Sequence, residues 1–208
     1  MNTKSYLIGY NSVSAFLWGC VLVRLMILYP LVGFKFVSGG VADFTRWVQT
    51  MALLEVVHSM LGLVKSPIVT TAMQIASRLL LVWGVVYMFP DCAVSPAYTT
   101  MVFAWSVTEV VRYTYYAYNL ARAKQVPNML VWLRYNAFYI LYPLGAGSEM
   151  FLTFLSLDDA QALSPLYALV LKVILLIYIP GFYVMFTHMI KQRKRVFKNI
   201  GKRPMKTE

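Results

Sequence analysis

The sequence predicts an all-α, polytopic membrane protein with six transmembrane helices in one bundle and both termini in the cytosol. Three observations predict it. Of 208 residues, 60% are apolar and 13% are charged, against roughly 25% charged in an average soluble domain. Mean hydropathy is +0.62. The apolar residues lie in long stretches, and one spanning helix takes about 20 residues. A soluble globule and a disordered chain are excluded by these values. The net charge of +11 gathers at one end of the chain, so nucleic acid is not the expected partner.

The first apolar stretch, Tyr6–Tyr29, follows Lys4 and is too long for the apolar core of a signal peptide. Ser38-Gly39-Gly40 is the expected break before the second, Trp47–Val64. Lys65-Ser66-Pro67 then makes a tight hairpin into the third, Ile68–Phe89. Pro90-Asp91 precedes the fourth, Tyr98–Leu120, and Lys124-Gln125-Val126-Pro127 leads into the fifth, Pro127–Leu155. Asp158-Asp159 and Ser164-Pro165 separate it from the sixth, Pro165–Ile190. These breaks carry turn chemistry, and the prolines fall where a first helical turn tolerates them.

Charge placement sets the orientation. The tail holds eight bases: Lys191, Arg193, Lys194, Arg195, Lys198, Lys202, Arg203 and Lys206. Positive residues stay cytosolic, so six spans return both termini to that side. Lys65, Arg122 and Lys124 then lie in cytosolic connections. Asp43, Asp91, Asp158 and Asp159 lie opposite, with Lys35 and Arg46 beside them. The tail serves as topology signal and anchor for anionic membrane lipid, and binding a nucleotide phosphate is compatible with both. No repeat or inverted half-to-half symmetry supports a secondary transporter.

Ionisable groups at membrane depth cost at least about 2.5–3.5 kcal/mol each and mark function by default. Glu55 and His58 share a face of the second span. The third carries Gln74, Ser77 and Arg78, and the fourth Glu109 and Arg112, followed by Tyr113, Tyr116 and Tyr118. Arg134 stands near the cytosolic end of the fifth span, and Lys172 enters the sixth within snorkelling reach of the opposite edge. Mutual neutralisation that holds helices in register explains such pairs as well as a functional network does.

Glu149 differs, having no cation within one turn on its own helix. In a low dielectric such a carboxylate favours its neutral form, which suits proton exchange near neutral pH. Tyr142 lies seven residues earlier, two turns and about 10 Å along the axis, on the same face. Pro143, Gly145 and Gly147 offer a kink that shortens the gap. Counted from Pro127, Tyr142 lies about 22 Å deep and Glu149 about 33 Å.

Other membrane chemistries lack their residues. His58 and His188 are too few for a histidine-box di-iron site, and Cys20 and Cys92 build no zinc site or disulfide framework. No Cys-x5-Arg phosphatase loop exists, because Met26 and Tyr98 stand six residues after the two cysteines. No phosphate loop or dinucleotide fingerprint occurs. Acid–base chemistry without metal or cofactor remains.

Four ordered blocks carry a resemblance: Leu54–Pro67, with Glu55 and His58; Gln74–Arg78; Trp105–Tyr113, with Glu109 and Arg112; and Trp132–Gly145, which runs into Glu149. Tyr6-Leu7, Tyr10-Asn11 and the basic tail agree. In order and spacing the chain resembles the very-long-chain (3R)-3-hydroxyacyl-CoA dehydratase family, once called protein tyrosine phosphatase-like proteins. The resemblance implies dehydration of very-long-chain (3R)-3-hydroxyacyl-CoA to trans-2-enoyl-CoA, the third step of fatty-acid elongation and a source of sphingolipid precursors. It also implies a six-span, multi-pass protein of the endoplasmic reticulum membrane. Elongase, 3-ketoacyl-CoA reductase and enoyl-CoA reductase are the implied partners, and no cofactor is implied. The family's catalytic Tyr and Glu fall on Tyr142 and Glu149, within the Tyr-Pro-x-Gly-x-x-x-Glu run.

The expected organisation is a catalytic membrane domain over residues 1–190 and a basic cytosolic tail over 191–208. Glu149 is the expected base for the C2 proton and Tyr142 the acid at the 3-hydroxyl, with the reverse assignment open. The oxyanion donor is expected among backbone N–H groups near Gly145 and Gly147, or at Tyr113 or Tyr116. Glu55, His58, Gln74, Arg78, Glu109, Arg112, Tyr113 and Tyr116 are the expected supporting polar network. Lys65, Arg122, Lys124 and the first tail bases are the expected holders of the CoA phosphates. An inactive membrane scaffold of the elongation complex is the alternative function.

Overall fold

The computed structural model describes residues 2–66, 68–122 and 126–201, and among them the chain is entirely helical. The expected hairpin residue Pro67, the phosphate candidate Lys124, and Lys202, Arg203 and Lys206 of the tail lie outside the described residues. Helix α1 spans Thr3–Thr50, α2 Leu53–Met60 and α3 Ile68–Leu79. The third apolar stretch continues as a π-helical segment, Leu80–Val86, and a 3-10 turn, Pro90–Val94. Then follow α4 (Pro96–Ala121), α5 (Asn128–Asn136), α6 (Phe138–Leu155), α7 (Leu157–Leu163) and α8 (Pro165–Gly201). Four segments are long and apolar enough to cross a membrane: Thr3–Met60, Ile68–Val86, Phe138–Leu155 and Pro165–Lys198.

Helix α1 is a hairpin rather than one rod. Tyr10 donates to the Met51 carbonyl at 3.5 Å, although 41 residues of straight helix would span about 60 Å. The reversal falls at Gly33, whose φ of 71° and ψ of 175° break the helical run just after Pro30 has removed one backbone donor. The expected break at Ser38-Gly39-Gly40 is therefore misplaced, because those residues are helical. Gly40 instead lets the two arms touch: a Cβ there would sit 2.5 Å from Leu28 Cδ1, the close approach small residues permit in membrane bundles.

The remaining breaks follow local chemistry. Ser95 caps α4 by accepting from the Ala97 N–H at 3.2 Å, and Pro96 sits in the first turn. The π-helical segment disturbs the regular backbone pairing, and Tyr167 on α8 donates to the Gly84 carbonyl at 2.7 Å. The fifth stretch breaks at Asn136–Phe138, upstream of Pro143, while α6 carries Pro143 inside it. Pro143 denies the Tyr139 carbonyl its i+4 donor, while the Ala137 carbonyl at the start of α6 accepts from Leu141 at 2.9 Å and from Ile140 at 3.2 Å. Asp158-Asp159 do not form a loop. They begin the short helix α7, where acidic residues offset the positive helix terminus.

Helix α4 is central, packing most extensively against both arms of α1 and next against α6. Trp18, Val21, Val37, Val41, Val85, Met101, Val102 and Leu152 form the core with it. The outer faces of α1 and α8 are apolar, with Phe16, Leu31, Phe36, Leu166, Leu176 and Tyr183 exposed, as lipid-facing helices require. Glu109, Arg112 and five tyrosines make α4 less hydropathic than its neighbours, and its place inside the bundle lets it carry them. Gly33→Ala is expected to cost about 1–3 kcal/mol, because its φ of 71° and ψ of 175° form a backbone conformation essentially reserved for glycine, read as a lower Tm in detergent. Gly39→Ala, at a helical position with open space at the Cβ, should hold or raise Tm.

Candidate active site

Two polar assemblies meet on α4. The first surrounds Glu149 on α6. Small residues bring α6 against α4: a Cβ on Gly145 would lie 3.7 Å from both Ala104 and the Trp105 ring, and Thr100 and Ser148 hydroxyls are 2.7 Å apart. That approach lets Trp105 Nε1 donate to Glu149 Oε1 at 2.7 Å. From the other side Tyr178 of α8 donates its hydroxyl to Glu149 Oε2 at 2.9 Å. Both carboxylate oxygens thus have a donor, each from a different helix. Glu149 lies about 9 Å from the Leu155 end of α6, at 1.5 Å per residue.

Tyr142 faces α8 from the same side of α6. Its ring stacks on Phe182 at 5.1 Å and lies parallel to Phe186 at 6.2 Å, while its hydroxyl has no hydrogen-bond partner among the described residues. Tyr178, Phe182 and Phe186 follow one another at four-residue spacing, so a single face of α8 lines the Tyr142–Glu149 face of α6. Helix α6 runs unbroken through Pro143, so the two residues stand two helical turns apart along it. Helical side chains lean toward the helix N-terminus, which directs Glu149 toward Tyr142.

The second assembly is ionic and lies farther along α4. Arg112 reaches Glu55 of α2 with both terminal nitrogens, at 2.8 and 2.7 Å, and Glu109 with Nε at 2.6 Å. Tyr113 also donates to Glu55. Glu109, only 3% exposed, receives a second cation from α3 through Arg78 Nη1. Two carboxylates and two guanidiniums therefore cancel within one cluster, the condition for burying charge without a large uncompensated penalty. Arg78 ties this cluster to the first: its guanidinium lies 4.8 Å over the Trp105 ring and bears electrostatically on Glu149.

The expected network is brought together only in part. Glu55, Arg78, Glu109, Arg112 and Tyr113 join. His58 does not pair with Glu55: its Nε2 lies 2.9 Å from the Tyr6 hydroxyl, and Tyr10 packs edge-on against its ring at 4.7 Å. Gln74 is exposed on α3. Tyr116 belongs with Arg134, 3.5 Å away, because its position on α4 faces α5. Lys65, Arg122 and Lys172 are exposed. Trp105 and Tyr178, the donors to Glu149, escaped the sequence reading as site residues. The four-residue spacing of Tyr178, Phe182 and Phe186 was the available signal for the second. Among the described residues no metal-ligating group of His, Cys, Asp and Glu forms.

The family model for the protein tyrosine phosphatase-like protein, PTPLA, matches residues 49–199. The chain belongs to the PTPLA family. Among its relatives is the probable very-long-chain (3R)-3-hydroxyacyl-CoA dehydratase of Schizosaccharomyces pombe, 46% identical over 200 residues, covering 95% of each chain. A very-long-chain (3R)-3-hydroxyacyl-CoA dehydratase of Caenorhabditis elegans is 34% identical over 219 residues, covering 94% of this chain and 96% of its own. Human very-long-chain (3R)-3-hydroxyacyl-CoA dehydratase 2 is 30% identical over 209 residues, covering 94% and 82%. No solved structure matches the chain. In this PTPLA chain the match takes in both assemblies, from Glu55 to Tyr178.

The ionic cluster is testable through stability. Arg112→Met leaves Glu55 without its guanidinium and Glu109 with Arg78 alone. The expected loss is about 3–5 kcal/mol, seen as a marked fall in Tm of the detergent-solubilised protein. Adding Glu55→Met should recover part of it, because the stranded carboxylate is then gone.

Proposed function

We propose that this PTPLA-family chain is a hydro-lyase that removes water from very-long-chain (3R)-3-hydroxyacyl-CoA to give trans-2-enoyl-CoA, the dehydration step of fatty-acid elongation. The observation that carries the reading is Glu149, a carboxylate oriented by Trp105 and Tyr178 on the helix face shared with Tyr142, in a chain whose relatives bear that name. In the proposed reaction Glu149 takes the proton from C2 of the thioester. The C3–O bond then breaks, and the Tyr142 hydroxyl gives its proton to the departing oxygen, which leaves as water. Proton transfer from Glu149 back to the Tyr142 oxygen restores both groups. A fixed carboxylate and an unengaged phenol suit these tasks.

The enolate oxygen formed at the thioester needs a donor. Gly145 and Gly147 lie within the continuous helix α6, so their N–H groups are committed to the backbone. Tyr113 donates to Glu55, and Tyr116 stands beside Arg134. We assign the task to Arg78, whose Nη2 and Nε make no hydrogen bond among the described residues and which stands one indole ring from Glu149.

Six crossings are the topology we propose, with the hairpin at Gly33 supplying the first two. The π-extended α3, α4, the α5–α6 pair and α8 supply the others. α4 is long enough at 26 residues, and its charges face other helices. The bases of α8 after Ile190 place that end in the cytosol by the positive-inside rule, and the even number of crossings returns the N-terminus to the same side. The endoplasmic reticulum membrane and the elongase, 3-ketoacyl-CoA reductase and enoyl-CoA reductase as neighbours complete the proposal. Residues 1–190 are the catalytic membrane domain, and 191–208 the cytosolic tail in which α8 ends.

Purified protein supplied with a long-chain (3R)-3-hydroxyacyl-CoA should yield the enoyl-CoA. Glu149→Gln and Tyr142→Phe should each lower kcat by at least about a thousandfold while Tm holds, a loss near 4 kcal/mol of transition-state stabilisation. Near-normal turnover by either variant removes that residue from the mechanism. In the same assay Arg78→Lys should retain more activity than Arg78→Met. Protease-accessible tags at the two termini should be cut from the cytosolic face of sealed microsomes, and a tag in the Gly33 turn should be protected.

A further inference from the structure

The seam between α8 and the α5–α6 pair continues past Tyr142. On α8 the stripe of Tyr178, Phe182 and Phe186 goes on to Arg193 and Phe197, at helical spacings that keep one face. Arg193 Nε donates to Asn136 Oδ1 at 2.8 Å, and its guanidinium packs over the rings of Tyr139 at 5.7 Å and Phe197 at 5.0 Å. Its two terminal nitrogens have no hydrogen-bond partner among the described residues. Beside Phe197 lies a groove of about 360 Å³, lined by Asn128, Met129, Val131, Trp132 and Phe197. Trp132 is 56% exposed there.

We propose that this groove binds the nucleotide end of coenzyme A. The purine lies against the faces of Trp132 and Phe197, since exposed aromatic rings stack any base. A phosphate takes the free fork of Arg193, a planar pair of donors that Asn136 and the rings hold in place. Lys194 and Lys198, both exposed on the same stretch of α8, add to the local positive potential. From Asn136 to Glu149 the seam runs 13 residues, about 20 Å, a distance that an extended phosphopantetheine arm crosses. Of the expected phosphate holders this keeps a tail base, Arg193, and drops Lys65 and Arg122, so the site lies on the helices that carry Tyr142, Glu149 and Tyr178. The thioester end of this placement rests on the dehydratase reading; the nucleotide end stands without it.

An anionic lipid headgroup would satisfy Arg193 through the same phosphate chemistry, so the test separates the two. The full chain is placed in nanodiscs of neutral phosphatidylcholine and titrated with adenosine 3′,5′-bisphosphate, which carries no thioester. Wild-type protein should bind it, and Arg193→Gln and Trp132→Ala should each weaken binding about tenfold or more. Arg193→Gln should also raise KM for the CoA thioester by a similar factor with kcat held. The same acyl group on pantetheine, which lacks the nucleotide, should not discriminate between wild type and variant. Absence of bisphosphate binding by wild type, or equal losses on both thioesters, overturns the site. Arg193→Gln that weakens only retention of added anionic lipid assigns the residue to a headgroup and overturns it too. Wild-type protein that binds the bisphosphate but dehydrates neither thioester upholds the nucleotide site and removes the dehydratase reading.

Discussion

Inside a bilayer no water reaches a stranded charge, and the architecture of this chain follows from that constraint. Glu109 is almost wholly buried, and it is tolerated because Arg112 approaches from its own helix and Arg78 from α3. Arg112 in turn neutralises Glu55 on α2. Three helices are thus pinned by one cluster whose formal charges cancel. The helix that carries most of these groups can lie nowhere but the middle of the bundle, where partners rather than lipid surround it. The apolar arms of α1 and the long α8 supply the lipid-facing surface.

The ionic cluster and the carboxylate at Glu149 are mechanically continuous. Arg78 contacts Glu109 with one nitrogen and lies over Trp105 with its planar face, and Trp105 donates to Glu149. The position of the base proposed for catalysis therefore depends on packing between α3 and α4 as well as on its own helix. Tyr178 completes the hold from α8. A carboxylate tethered from two directions loses little freedom on meeting a substrate, which is the preorganisation that proton abstraction next to a thioester requires. The aromatic wall of Phe182 and Phe186 leaves Tyr142 ordered through its ring while its hydroxyl is unengaged.

Backbone exceptions serve the same packing. Gly33 lets α1 double back, and Gly40 lets its arms meet at Leu28. The π-helical turn offers the Gly84 carbonyl to Tyr167, which ties the third stretch to α8. The irregularity of the fifth stretch falls at Asn136–Phe138, upstream of Pro143, and Asn136 accepts from Arg193 there. The departures at Gly84 and Asn136 are each met by a partner from α8, as a medium without water favours.

Composition and apolar run length were enough, from the sequence by itself, to determine an all-helical chain built for a membrane, because hydropathy acts locally and residue by residue. The same reading singled out Glu149 and Tyr142, since a carboxylate without a local cation and a phenol two turns away are features of one helix. Turn position was less legible: Ser38-Gly39-Gly40 has the composition of a loop, yet glycine serves equally for close helix contact, and only packing decides between them. The Glu109–Arg112 pair follows from its spacing on α4, but partner choice between helices was not legible. Glu55 and His58 sit one turn apart and take different partners, Arg112 and Tyr6, from helices distant in sequence. Tyr113 and Tyr116 point to different neighbours for the same reason. Trp105 and Tyr178 became ligands of Glu149 only when α4, α6 and α8 came together, because a hydrogen bond between helices is a property of their packing and of no single helix.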